Sequence, residues 1–234
     1  MLSDKMDLMF DLSGLNPQKD VFESSKKDVL KFLKIIGADS RYISYTPDKL
    51  YINNLRFSKF SRKRQDTFTK HFPDIEVVRN TLFQKICSKS AKTLSSQIKP
   101  NSRILMCENN YLIDLILEPY TRKYGVKLVY EGEYDLKVNP IILDDEVNNI
   151  FESIFKGESL NLKHYDNEIY PLINVSLDWI NSFLEMDGKQ TVKKENKDEL
   201  ANSFSRFLDD TTPQYKENVL KATQFVLDNS LFEF

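Results

Sequence analysis

Apolar side chains recur at helical spacing between Asp20 and Gly37, where Val21, Phe22, Val29, Leu30, Phe32, Leu33, Ile35 and Ile36 form one stripe. Gly37 supplies the C-cap of this predicted helix. Before it, Leu8, Met9, Phe10 and Leu12, followed by Ser13-Gly14 and Asn16-Pro17, predict a strand or short turn element and a loop within Met1 to Gln18. After it, Arg41 to Tyr45 and Lys49 to Ile52 have strand composition, and Thr46-Pro47-Asp48 between them predicts a hairpin. The segment from Arg56 to His71 reads as a helix that Pro73 ends. A second long helix is expected over Val77 to Ile98, with Leu82, Phe83, Ile86, Ala91 and Leu94 inward.

From Lys99 onward the pattern alternates between strand and helix. Arg103 to Cys107 reads as a buried strand, Asn109 to Tyr124 as a helix that Pro119 bends or ends early, and Val126 to Tyr130 as a strand. This is a βαβ unit, which requires a parallel pair and a right-handed crossover. Val138, Ile141, Ile142 and Leu143 predict a second buried strand running into a helix that Asp144 caps, that carries Val147, Ile150, Phe151, Ile154 and Phe155, and that Gly157 closes. Ile169 to Val175 reads as a short strand or extended lead-in, and Leu177 to Met186 as a helix carrying Trp179. Lys189 to Asp198 has linker composition, and Glu199 to Leu208 and Thr212 to Leu227 read as two closing helices around Pro213. The expected fold class is α/β, a parallel Rossmann-like sheet with flanking helices in residues 99–234, preceded by a basic α+β module in residues 1–98.

Charge divides the chain in the same way. Residues 1–130 hold 23 Lys and Arg against 14 Asp and Glu, while residues 131–234 hold 10 against 21, so a net charge of −2 conceals two oppositely charged halves. Six glycines argue against Gly-rich phosphate loops, which need backbone without a Cβ near the ligand. Cys87 and Cys107 have no CxxC partner, so neither a disulfide framework nor a zinc site is expected, and a reducing, cytoplasmic setting fits best. No apolar run is long enough to span a bilayer, and Asp4, Lys5, Asp7 and Asp11 interrupt any amino-terminal signal, so no membrane association is expected.

Two segments carry candidate chemistry. Arg56, Lys59, Arg62, Lys63, Arg64 and Lys70 alternate with Phe57, Phe60 and Phe68, a composition that suits a phosphate backbone and unstacked bases. The same pattern also fits a solvated helix face with its phenylalanines in the core, or docking of the basic part on the acidic one. Asp144 and Asp145 lie at a strand-to-helix joint, where open sheets bind ligands, and could hold a metal or orient a substrate. With Glu146 they also suit simple capping of a helix. An acidic turn, Glu131, Glu133 and Asp135, could add ligands for a divalent ion. His71 and His164 lack neighbouring nucleophiles or ligands, and Cys107 reads as a small buried hydrophobe, so no catalytic residue is named.

Three segments, in order, resemble the adenine-nucleotide α-hydrolase (PP-loop) proteins of tRNA thiolation and lysidine synthesis. They are Leu143-Asp144-Asp145-Glu146 through Phe155-Lys156-Gly157, Ile169-Tyr170-Pro171-Leu172 through Ile180, and Phe204 to Leu220. Together they cover about a third of the chain with short patterns. The family's Ser-Gly-Gly-x-Asp-Ser loop is absent; Ser13-Gly14 and Cys107-Glu108-Asn109-Asn110 are the nearest counterparts. The resemblance implies a degenerate member that kept the sheet, with Asp144 and Asp145 as inherited nucleotide- or metal-binding residues. It further implies association with RNA, tRNA in particular, and a link to tRNA sulfur modification. Two alternatives stand beside it: a non-catalytic subunit whose acidic half binds a protein partner, and an enzyme that uses ATP and magnesium.

Overall fold

Two separate sheets organise the chain, each placed where the hydrophobic alternation changes period. The structure is a computed structural model that describes residues 17–107, 110–160, 162, 165–193 and 199–229, with side chains described from Ser25 onward. The expected element within Met1 to Gln18 lies almost wholly outside the described residues, as do His164 and part of the predicted linker.

The first sheet is the predicted hairpin plus one strand. Helix α1 (Pro17–Ile35) ends at Gly37, whose φ of +74° is the left-handed conformation a helix stop favours. Strands β1 (Ile43–Tyr45) and β2 (Lys49–Ile52) pair antiparallel, with Ile43 opposite Ile52. Strand β3 (Glu76–Val78) adds parallel to β2. Val77 and Val78, helical by sequence spacing, instead belong to this strand. β-branched side chains favour it, and Asn80 then caps helix α4 (Thr81–Gln97) by accepting from the N–H groups of Leu82 and Phe83 at 2.8 and 3.0 Å.

The single helix expected over Arg56 to His71 is two: α2 (Leu55–Ser58) and α3 (Arg62–His71). Lys59 between them sits at φ +53°, and Asn54 and Ser61 each cap the helix that follows. Phe60 and Phe68 are buried with Val29, Leu33, Ile43 and Leu50 in one core, while Phe57 is exposed.

The second sheet is entirely parallel, in the order β5-β4-β6-β7, so the expected α/β class with a parallel sheet and flanking helices is what the chain adopts. Its strands are β4 (Arg103–Leu105), β5 (Lys127–Val129), β6 (Leu136–Val138) and β7 (Glu168–Ile169). Between β4 and β5 run α5 (Tyr111–Leu117) and α6 (Tyr120–Lys123), interrupted at Pro119 as predicted. Residues 130–135 alone join β5 to β6 across β4, too short a connection for a crossover helix. Helix α7 (Leu143–Lys156) follows β6, α8 (Leu177–Met186) follows β7, and α9 (Glu199–Thr211) and α10 (Tyr215–Asn229) close the described chain.

The strand expected to reach Leu143 stops at Val138. Pro140 has no N–H to donate to a neighbour, and the Asn139 side chain turns the chain by accepting from the Ile141 N–H at 3.1 Å. The apolar Ile142 and Leu143 are buried at the start of α7 instead. Beyond Ile169 the lead-in expected to run to Val175 is a series of turns, closed by the Val175 N–H donating to the Leu172 carbonyl at 2.8 Å. Ile104, Met106, Leu136 and Val138 of the sheet share a core with Phe83, Ile86 and Leu94 of α4 and Phe183 of α8. Tyr51 of β2 enters the same core, its ring tilted against those of Phe83 and Phe183, and so ties the first sheet to the second. A third core gathers Val147, Ile150 and Phe151 of α7 against Ala201 of α9 and Leu220 of α10. Among the described residues no helix is long and apolar enough to cross a membrane.

Candidate ligand cleft and basic face

The chain leaves β4 toward β5 on one side and leaves β6 toward β7 on the other, which opens a crevice beyond the carboxyl ends of these two adjacent strands. A cavity of about 460 Å³ lies there, bounded by Asn110 and Tyr111 after β4 and by Pro140 and Asp145 after β6. Its far wall is apolar, from Leu177, Ile180 and Leu184 of α8, and Lys189 and Gln190 close it. An apolar chamber with a few convergent polar groups is the usual form of a small-molecule site.

The twin aspartates face different ways. Asp145 lines this cavity. Asp144 is buried and points into the protein: one carboxylate oxygen accepts from the Leu177 N–H at 2.7 Å and the other from Lys216 Nζ at 2.8 Å. The cap that the sequence assigns to Asp144 on its own helix is made elsewhere: Asp144 caps α8, whose N-cap residue Ser176 makes no side-chain capping bond. A carboxylate at the positive end of a helix is favoured by the helix dipole as well as by the bond. Lys216 also meets Asp209 at 2.8 Å. Burial would lower its pKa, yet the two carboxylates prevail and raise it. Both oxygens of Asp144 are thus engaged, which does not suit a second role as a metal ligand. The acidic turn does not join the aspartates: Asp135 accepts from the Arg103 N–H at 2.7 Å and Glu133 meets the Arg103 guanidinium at 3.4 Å. Among the described residues no group of three or more His, Cys, Asp or Glu side chains comes together to hold a metal.

A polar knot that the residue pattern gives no hint of sits at the rim of the cavity. The Tyr51 hydroxyl lies 2.8 and 2.9 Å from the two oxygens of Asp187 and 2.6 Å from the Tyr111 hydroxyl, and Lys49 Nζ reaches Asp187 at 2.8 Å. Lys189 lies 4.7 Å over the Tyr111 ring. Burial would raise the pKa of Asp187, but Lys49, Tyr51 and Tyr111 outweigh it and hold the carboxyl below its ordinary value. These residues are far apart in sequence and belong to no motif; only Asp187-Gly188, a helix-stop signal, is visible in the chain. Asp114, in the first turn of α5, is pushed up to about 6 by burial, against the opposing hydrogen bond from Tyr130. Cys107 donates to the Val138 carbonyl at 3.4 Å, and burial raises its thiol pKa, as befits a packed rather than a nucleophilic cysteine.

Most of the basic residues are exposed. Arg56, Lys59, Arg62, Lys63 and Lys70 are exposed on α2, α3 and the break between them. Arg64 differs: its guanidinium donates to the Lys59 carbonyl and packs against Gly37, where an added Cβ would lie 3.0 Å from it. It holds the break between α2 and α3 together. Arg79 does similar work from inside, donating to the Phe60 carbonyl at 2.6 Å.

No protein-family profile matches the chain. A probable sulfurtransferase from Methanocaldococcus jannaschii is 26% identical over 98 residues, covering 39% of this chain, and the match spans only 29% of that relative's length. Among solved structures, the U34-tRNA thiolase NcsA from Methanococcus maripaludis with its 4Fe-4S cluster is similar over 63% of this chain and 79% of that one, at 13% identity and a TM-score of 0.48.

Proposed function

We propose that this chain is an RNA-associated, degenerate PP-loop-like protein linked to tRNA sulfur modification. The observation that carries the reading is the exposed row Arg56, Lys59, Arg62, Lys63 and Lys70, kept outward because Phe60 and Phe68 of the same segment fill the core. Cations held on a folded face, free to release counterions from a phosphate backbone, are what sequence-independent RNA binding needs. The likeness to a probable sulfurtransferase supports the sulfur connection. Binding of tRNA measured by fluorescence anisotropy across a salt series tests it. The combined Arg62→Ala, Lys63→Ala and Lys70→Ala variant is expected to bind more weakly and with a shallower salt slope, by about 0.7–0.9 for each phosphate it no longer neutralises. Affinity and slope equal to the parent chain's would refute the reading.

For a nucleotide, we assign the contact to Asp145 because it lines the cleft, whereas Asp144 is buried away from it. A rise in melting temperature with ATP and magnesium, absent in Asp145→Asn, is the expected result.

One observation favours a second reading, a protein-interaction subunit. Leu200, Phe204 and Phe207 repeat along one face of α9 and remain exposed, next to the exposed Phe155 of α7. Co-purification of a partner that Phe207→Glu abolishes would support it; retention of that partner would not.

A further inference from the structure

Away from the cleft, a pocket of about 260 Å³ opens between the helical turn Ser40–Tyr42, α2, α4 and α6. It is smaller than the sites of drug-sized ligands, about 300–1,000 Å³. Three features make it a built site rather than a dent. First, Phe57 stands at its mouth, 51% exposed, with its ring centroid 5.3 Å from that of Tyr42 at an interplanar angle of 32°. Nothing in the core claims this ring, unlike Phe60 and Phe68 of the same segment. Second, Asn53 lines the pocket although only 9% exposed, and its amide orientation is fixed: the backbone N–H of Ser44 donates to its Oδ1 at 3.0 Å. Its Nδ2 group meets no acceptor among the described residues and keeps some contact with solvent, so this oriented donor is open to a ligand in the pocket. Third, cations surround the opening. Lys123 lies 5.8, 5.3 and 5.1 Å from the ring centroids of Tyr42, Tyr120 and Tyr124, and Arg56 lies 5.8 Å over Phe57. The nearby carboxylates are already neutralised, Asp39 by Arg41 at 2.7 Å and Glu118 by Lys26 at 3.0 Å and by Arg122.

A flat π-face, a fixed hydrogen-bond donor behind it and cations at either side match one heterocyclic base with its flanking phosphates. We propose that this pocket receives one unstacked base of a single-stranded RNA segment. The base lies against Phe57, a ring nitrogen or carbonyl oxygen accepts from Asn53 Nδ2, and the phosphates on either side meet Arg56 and Lys123. The proposal rests on the RNA reading above and adds to it a preference for single strands.

The test uses the full chain and a labelled oligoadenylate of about 12 nucleotides, single-stranded or annealed to its complement. Phe57→Ala, at a half-exposed position, leaves the core untouched. It is expected to weaken single-strand binding about tenfold at constant salt, with no change in salt slope, and to leave duplex binding as it was. Phe57→Trp is expected to restore the affinity. Single-strand affinity unchanged in Phe57→Ala, with the Arg62, Lys63 and Lys70 variant still weakened, overturns the pocket and leaves the RNA reading standing. No binding of either oligonucleotide by the parent chain overturns both.

Discussion

Lys216 Nζ stands 2.8 Å from Asp144 Oδ1, where the last helix crosses the first turn of α7, and neither side chain is more than 14% exposed. This pair joins three helices, because the other oxygen of Asp144 caps α8. Removing one member of a buried pair leaves the other charge without compensation. Lys216→Ala is therefore expected to cost about 3 kcal/mol in urea unfolding, and Asp144→Asn combined with Lys216→Met to recover much of that deficit.

The knot around Asp187 should set part of the acid limb of stability. Its folded pKa is depressed, so its contribution is present above the ordinary carboxylate range and is lost as pH falls through the folded value. Tyr51→Phe removes a donor to both carboxylate oxygens. The expected result is a destabilisation of about 1–3 kcal/mol at pH 7 and an acid transition moved to higher pH, read by circular dichroism between about pH 2 and 6.

Asp114 behaves in the opposite sense. With its pKa pushed up to about 6 by burial, the folded state holds the proton more tightly than the unfolded one. Its contribution is full below about pH 4 and declines as pH rises through about 6. Asp114→Asn is expected to raise stability by about 1–2 kcal/mol at pH 7.5 and to change nothing at pH 4, measured by melting at the two pH values.

Ser90 lies buried in α4, and its hydroxyl is the buried side-chain oxygen left without a partner among the described residues. Ser90→Ala removes that unsatisfied group and improves helix propensity. A gain of about 1 kcal/mol in denaturant unfolding is expected, and a decrease would show that the hydroxyl has a bonding role.

The elements legible from the residue pattern are those with a single dominant signal. Helix α1, the hairpin at Thr46-Pro47-Asp48 and the parallel unit on either side of Gly125 all appear where spacing and turn residues place them, although Ile35 of the predicted α1 stripe is exposed. Where signals compete, capping chemistry wins. Asn80 and Ser61 each start a helix inside what reads as a continuous one, and Pro140 halts a strand whose apolar run continues into α7. The site is less legible for a geometric reason. Asp145 reaches the cleft, but Asp144, next to it on α7, points inward, and residues such as Tyr51, Tyr111 and Asp187 meet only through tertiary packing. The basic segment is visible as charge; that Arg64 braces the backbone while Phe57 stays outside is not.

Residues 130–135 give β5 and β6 no slack, and both partners of β4 lie within residues 103–138. Short sequence separation lowers the loop-closure cost of this trio relative to pairings that reach further along the chain. During synthesis it can take shape on the ribosome before the acidic carboxyl-terminal helices have emerged, with β7 joining only after α7 is made.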